Sequence, residues 1–85
     1  MPKIVIYTKA WCPYCDAARD LLLKKSAVFE EISVDGDAAA QRAMAARANG
    51  RSTVPQIFID EIHVGGCDDL YGLEKAGRLD PLLTA

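Results

Sequence analysis

Several things are scarce in this chain of 85 residues. It has one histidine and three cysteines. So few cysteines, in an odd number, do not make the disulfide framework that staples short secreted proteins. Without a second Cys-x-x-Cys pair, the four-ligand set of a structural zinc site is missing. No stretch approaches the roughly 18 consecutive apolar residues of a membrane-spanning helix. No run of Lys or Arg is long enough to track phosphates, and 10 basic against 12 acidic residues leave a net charge of −2. That balance argues against nucleic acid as a partner. Met1-Pro2-Lys3 passes at once into an apolar run, with no leader-like segment before a cleavage site. The expectation is a cytoplasmic protein, or an organellar one in mature form, that binds neither nucleic acid nor membrane. Repeats, linkers and low-complexity tails are also lacking, apart from one Ala-rich stretch. Residues 1–85 are therefore expected to form a single domain with a modest core.

What is present follows a clear order. Residues 3–8 are β-branched and aromatic, and nearly continuous in apolar character, which predicts a strand covered on both faces. Residues 13–26 predict a helix. Pro13 suits its first turn, Ala17, Ala18, Leu21 and Leu22 make its apolar stripe, and acids come early and lysines late. Residues 28–34 predict a second strand with imperfect alternation. Asp37 is placed to cap a helix over 38–48, and Asn49-Gly50 to stop it. Gln56-Ile57-Phe58-Ile59 and Ile62-His63-Val64 predict strands three and four. The short Asp60-Glu61 link permits only an antiparallel hairpin. A helix over 67–76 follows, with Leu70, Leu73 and Tyr71 as candidates for its inner face. One more helical turn over 80–84 places Leu82 or Leu83 on the core. A βαβ unit, a helix and a ββα unit build an α/β fold with a four-stranded mixed sheet and helices on both faces.

Chemistry concentrates at Trp11-Cys12-Pro13-Tyr14-Cys15, where the first strand hands over to the first helix. A thiol at a helix N-terminus meets unsatisfied N–H groups and the positive end of the helix dipole, and both stabilise a thiolate. A dithiol redox site is the leading reading. Half a metal site and two ordinary small hydrophobes are the alternatives.

Three motifs then stand in order. They are Cys12-Pro13-Tyr14-Cys15 after the first strand, Thr53-Val54-Pro55 before the third, and Gly65-Gly66-Cys67-Asp68-Asp69-Leu70 opening a helix. With the closing Leu79-Asp80-Pro81-Leu82-Leu83, they resemble the glutaredoxins of the small dithiol class, in their bacterial form. The resemblance covers essentially the whole chain. It implies a thioredoxin-like fold with strand order 2-1-3-4, and a cis Pro55 beside the dithiol. It implies a glutathione-dependent thiol–disulfide oxidoreductase. Its partners would be glutathione, glutathionylated proteins and disulfide substrates, with ribonucleotide reductase as one possible recipient, and the protein would be a monomer that needs no metal.

The resemblance also implies roles. Cys12 is the nucleophile, sufficient alone to remove glutathione from proteins, and Cys15 is the resolving thiol for protein disulfides. Lys9 stands beside the thiolate and a glutathione carboxylate, and Tyr14 lines the groove. Thr53, Val54 and Pro55 offer backbone to the cysteinyl part of glutathione by strand addition. Gly66, Cys67 and Asp68 open a helix whose N–H groups hold the γ-glutamyl carboxylate, and Asp68 takes the amine. Asp68 and Asp69 are also good first-turn residues on helix stability alone, and Asp68 is the preferred ligand residue of the two. Gln56 and Arg51 are candidates for the glycyl carboxylate. Cys67 packs near the groove, and His63 is an edge-strand surface residue without an acidic partner. Trp11 departs from the family, which favours a small or hydroxyl residue there. Its indole can cover the thiol, form a shelf for substrate proteins, or lie free on the surface. Some relatives instead carry an iron–sulfur cluster between two subunits, but Pro13 and Cys15 together argue against that use.

Overall fold

A computed structural model describes residues 2–84. Strand β1 (Ile4–Thr8) leads to helix α1 (Pro13–Lys24), strand β2 (Phe29–Ser33) and helix α2 (Ala38–Arg47). The hairpin β3 (Gln56–Ile59) and β4 (Ile62–Gly65) precedes helices α3 (Cys67–Lys75) and α4 (Leu79–Leu83). The sheet runs β2-β1-β3-β4, with β1 and β2 parallel and both β3 pairings antiparallel. This is the thioredoxin-like fold, in the expected strand order.

β1 is central, and its side chains alternate between two layers. Ile4 and Ile6 join Ile57 and Ile59 of β3 against Ala18, Leu21 and Leu22 of α1, Leu70 of α3 and Leu79 of α4. Full burial of one such Leu or Ile stabilises by about 1.5–3 kcal/mol. The opposite layer is smaller. Phe58 lies edge-on to Tyr7, and the Arg47 guanidinium of α2 sits 4.1 Å over its ring. Met44 is buried in the core and is the buried residue of α2.

Local signals act where they stand. The Asp37 carboxylate accepts from the Ala40 N–H at 3.0 Å and starts α2. Asn49 and Gly50 take positive φ just past its end. Other expectations shift. Helix α1 ends at Lys24 rather than Ser26, because Ser26 turns to φ 56°. Tyr71 is exposed rather than inward, and its hydroxyl donates to the Ala17 carbonyl at 3.0 Å. The final helical turn begins at Leu79, which is wholly buried, while Leu82 and Leu83 pack on the core from its margin.

Candidate active site

The site grows from three chain segments at one end of the sheet. The first is the start of α1. Cys12 is its N-cap, extended at φ −113° and ψ 101°, and Pro13 occupies the first turn, where its missing N–H costs nothing. The Cys12 Sγ accepts from the Cys15 N–H at 3.2 Å. Cys12 is half-buried, whereas Cys15 is completely covered. Burial first, and then the neighbouring Cys12 sulfur, push the Cys15 thiol up to about 12, although the Lys9 backbone works the other way. The two thiols are thus unequal, one partly open and one held in its protonated form. Lys9 is half-buried beyond the end of β1, and its backbone lies against the Cys15 sulfur.

The second segment is the loop from Arg51 to Pro55. The Val54–Pro55 peptide bond is cis, as the family resemblance implied. Pro55 is buried, Val54 half-buried and Thr53 exposed. The third is the turn from β4 into α3. Gly65 adopts φ +114°, and a Cβ there would lie 2.3 Å from the Asp69 carboxylate. Only glycine fits this approach. The Asp69 carboxylate accepts from the Gly66 N–H at 2.9 Å and meets Arg51 Nη1 at 3.1 Å. The Gly66 N–H, and after it the Arg51 guanidinium, hold the Asp69 carboxyl below its ordinary range. Asp68, one residue earlier, is exposed.

These segments enclose one open groove. Tyr14, Thr53, Val54 and Pro55 line it with Gly66, Cys67 and Asp68, and Arg51 and Asp69 complete the wall. Seven of the ten expected site residues therefore meet there. Cys12, Cys15 and Lys9 lie outside the groove lining. Cys67 is buried in the wall, and burial first, then the Asp68 charge, raise its thiol. Tyr14 is exposed. Trp11 is 99% exposed at φ 57°, so its indole covers neither thiol nor core.

Two residues differ from expectation. Gln56 does not reach for a carboxylate. It is wholly buried, and its amide donates to the Thr53 carbonyl at 3.0 Å. His63 is half-buried rather than on the surface: it stacks on Phe58 and meets Gln56 Oε1 at 2.7 Å. The charge of Asp69 also reaches it, so it does not lack an acidic neighbour. Asp69 takes the first-turn role expected of it, on the Gly66 N–H and Arg51. One signal for this network was readable in the chain. Gln56 is a polar residue at an inward position of an otherwise apolar strand.

Among the described residues, no group of three or more His, Cys, Asp or Glu side chains is placed to hold a metal ion. No helix among them is long and apolar enough to cross a membrane.

A dithiol at the N-terminus of α1, on a thioredoxin-like sheet and beside a cis-proline loop, defines a thiol–disulfide oxidoreductase. Comparison with known proteins narrows the class. The family model described as Glutaredoxin matches residues 4–64. A glutaredoxin of Pseudomonas aeruginosa is 59% identical over 85 residues, covering 100% of both chains. Glutaredoxin 3 of Escherichia coli is 55% identical over 83 residues, covering 98% of this chain and 99% of that one. Among solved structures, a glutaredoxin of Brucella melitensis superposes with a TM-score of 0.86 at 51% identity, covering 98% of this chain and 89% of that one. A buckwheat glutaredoxin–glutathione complex gives 0.86 at 30% identity, with 98% and 77% covered. The chain belongs to the glutaredoxin family. It is a glutathione-dependent thiol–disulfide oxidoreductase of the dithiol type, related to the bacterial glutaredoxin 3 sequences.

Proposed function

We propose that Cys12 carries the chemistry and that the groove beside it holds glutathione. In deglutathionylation the Cys12 thiolate attacks the glutathione sulfur of a mixed disulfide. The new bond joins Cys12 to glutathione, and the protein thiolate leaves. A second glutathione thiolate then attacks that bond, giving glutathione disulfide and restoring Cys12. With a protein disulfide as substrate, Cys12 first forms a mixed disulfide with one sulfur. Cys15 then attacks Cys12, its proton passes to the departing substrate thiolate, and two glutathiones reduce the internal disulfide. A resolving thiol held protonated until that moment suits this order.

The observation that carries the reading is the groove itself, which brings Tyr14, Val54 and Asp68 together although they are remote in sequence. The backbone of Val54, between Thr53 and Pro55, would pair with the cysteinyl part of glutathione as an added strand. The N–H groups of Cys67 and Asp68, opening α3 after Gly66, would receive the γ-glutamyl carboxylate, and the Asp68 side chain the amine. Lys9 and Arg51 would supply positive charge to the ligand's carboxylates, and Tyr14 would flank its backbone. The complex of the buckwheat relative with glutathione supports this ligand.

The chain acts as one domain over residues 1–85 and serves many glutathionylated and disulfide proteins, ribonucleotide reductase being one candidate. The openness of the groove supports a broad range. It works as a monomer: the β2 edge presents exposed Glu30 and Glu31, which discourage edge-to-edge pairing. A cytoplasmic site of action fits three cysteines without a disulfide framework. The test is turnover of a glutathionylated peptide with glutathione and glutathione reductase. Wild type and Cys15→Ser should both be active, and Cys12→Ser inactive. Turnover by Cys12→Ser would remove Cys12 as the nucleophile. Inactivity of the wild type, with protein disulfides still reduced from another donor, would show that the groove does not hold glutathione.

A further inference from the structure

The loop that presents Val54 is held in an unusual way. Among the described residues, no backbone–backbone hydrogen bond ties residues 52–55 to the rest of the chain. Two side-chain amides do so instead. Gln41 Nε2 donates to the Ser52 carbonyl at 2.9 Å, and Gln56 Nε2 donates to the Thr53 carbonyl at 3.0 Å, with the Thr53 hydroxyl at 3.3 Å. Gln41 sits on α2, near the surface. Gln56 is wholly buried, so its orientation is decided by its partners alone.

Those partners decide it completely. A carbonyl oxygen only accepts, so the Gln56 NH2 must face Thr53. The Gln56 Oε1 then faces His63 Nε2 at 2.7 Å and also only accepts. His63 must therefore carry its hydrogen on Nε2. The ring is fixed in turn by Phe58, stacked at 4.9 Å and 27°, and Phe58 is gripped by Tyr7 and Arg47. Were the hydrogen on Nδ1 alone, Nε2 and Oε1 would meet as two acceptors, and the amide would be driven from Thr53.

We propose that His63 is a positioning residue for the reaction: through Gln56 it sets the Thr53–Val54 backbone against which the glutathione moiety of the substrate docks. The proposal rests on the assignment of that groove to glutathione. The charged groups around the ring are Arg51 and Asp69, with Arg47 on the Phe58 ring. Burial first, and then the Arg51 charge, keep His63 below its ordinary value, so it is neutral at physiological pH and its tautomer matters.

His63→Phe keeps the aromatic stack on Phe58 and removes the donor. It should raise KM for a glutathionylated peptide by about three- to tenfold, the scale of one intramolecular hydrogen bond. The kcat should stay within about twofold of wild type. The rate at which iodoacetamide modifies Cys12 should not change. Gln56→Met should behave alike, and the double variant should be no worse than either single one, because both break the same link. An unchanged KM in His63→Phe, additive effects in the double variant, or a matching loss of kcat and Cys12 reactivity would each overturn the proposal. If His63→Phe does not fold, the wild type decides the matter. Nitrogen NMR of the imidazole should show the Nε2–H tautomer, and the Nδ1–H tautomer would sink the idea. Failure of the groove assignment has a different signature, since wild type itself would then not turn over the glutathionylated peptide.

Discussion

The backbone N–H of Cys15 lies 3.2 Å from the Cys12 sulfur, so the two cysteines already touch through one turn of helix. The contact divides their labour. It places a donor on the outer sulfur, while the inner one is sealed in the core. A single turn with Pro13 at its start is enough to make two identical side chains chemically unequal.

That inequality is measurable by alkylation. In the folded, reduced protein at pH 7.5, one equivalent of iodoacetamide should modify Cys12 and leave Cys15 and Cys67 untouched. The covered thiols are both raised, Cys15 by burial first and Cys67 likewise. Peptide mass spectrometry reads the result directly. Equal labelling of Cys12 and Cys15 would refute the difference in exposure.

The buried thiol also sets an alkaline limit. Cys15 is raised from 9.0 to about 12 on folding, so above pH 9 the unfolded chain loses this proton before the folded one does. Its contribution is whole below pH 9 and is lost as the pH climbs toward 12. Urea midpoints of the reduced wild type should fall over that window. Those of Cys15→Ala should start lower at pH 8 and fall less steeply. Parallel curves for the two proteins would show that Cys15 does not titrate differently on folding.

Asp69 works in the opposite direction. Its carboxyl is depressed, chiefly by the Gly66 N–H. Its contribution is therefore present above the ordinary carboxylate range and is lost as the pH falls through the lower folded value. Asp69→Ala should cost about 0.5–2 kcal/mol at pH 7, the usual scale of a lost helix cap. The gap from wild type should narrow in acid. It should also release Arg51, so a fall in affinity for glutathionylated peptide is expected alongside. Full stability at pH 7 in the variant would show that the cap contributes nothing.

Two glycines with positive φ make a controlled comparison. At Gly36, φ +67°, a Cβ would meet nothing within 4 Å. At Gly65, φ +114°, it would lie 2.3 Å from Asp69 and 2.8 Å from Arg51. Gly36→Ala should cost about 1–2 kcal/mol, from backbone conformation alone. Gly65→Ala should cost more, and should impair substrate binding by displacing the Asp69–Arg51 pair. Equal losses in thermal melts would mean that the crowding at Gly65 is relieved without consequence.

Much of this protein was written locally. Strands β1 and β3 are legible from their β-branched runs, α1 from Pro13 and its apolar stripe, and the ends of α2 from Asp37 and Asn49-Gly50. Each signal acts within a few residues of where it stands, so pattern and backbone preference suffice. The end of α1 at Lys24, before Ser26 turns to positive φ, and the burial of Leu79 escaped such reading. The first is a local left-handed turn that no strong residue preference marks, and the second depends on what packs from elsewhere.

What the sequence by itself determined is the dithiol, its seat at a strand-to-helix boundary, and the elements that carry it. Hydrogen-bond geometry and side-chain period act between near neighbours, and this information is complete in a short stretch. Only the tertiary structure decided that Tyr14, Val54 and Asp68 share one groove. It alone decided that Asp69 holds a turn rather than a ligand, and that a lone histidine reaches Gln56 instead of water. The groove is a meeting of distant segments, and it follows from β3 pairing with β1 and from which faces the helices cover. Gln56 and His63 are near in sequence, as are Gly66 and Asp69, but which side chain turns toward which is settled by the register of the β3–β4 hairpin and by Arg51 reaching Asp69 from another segment.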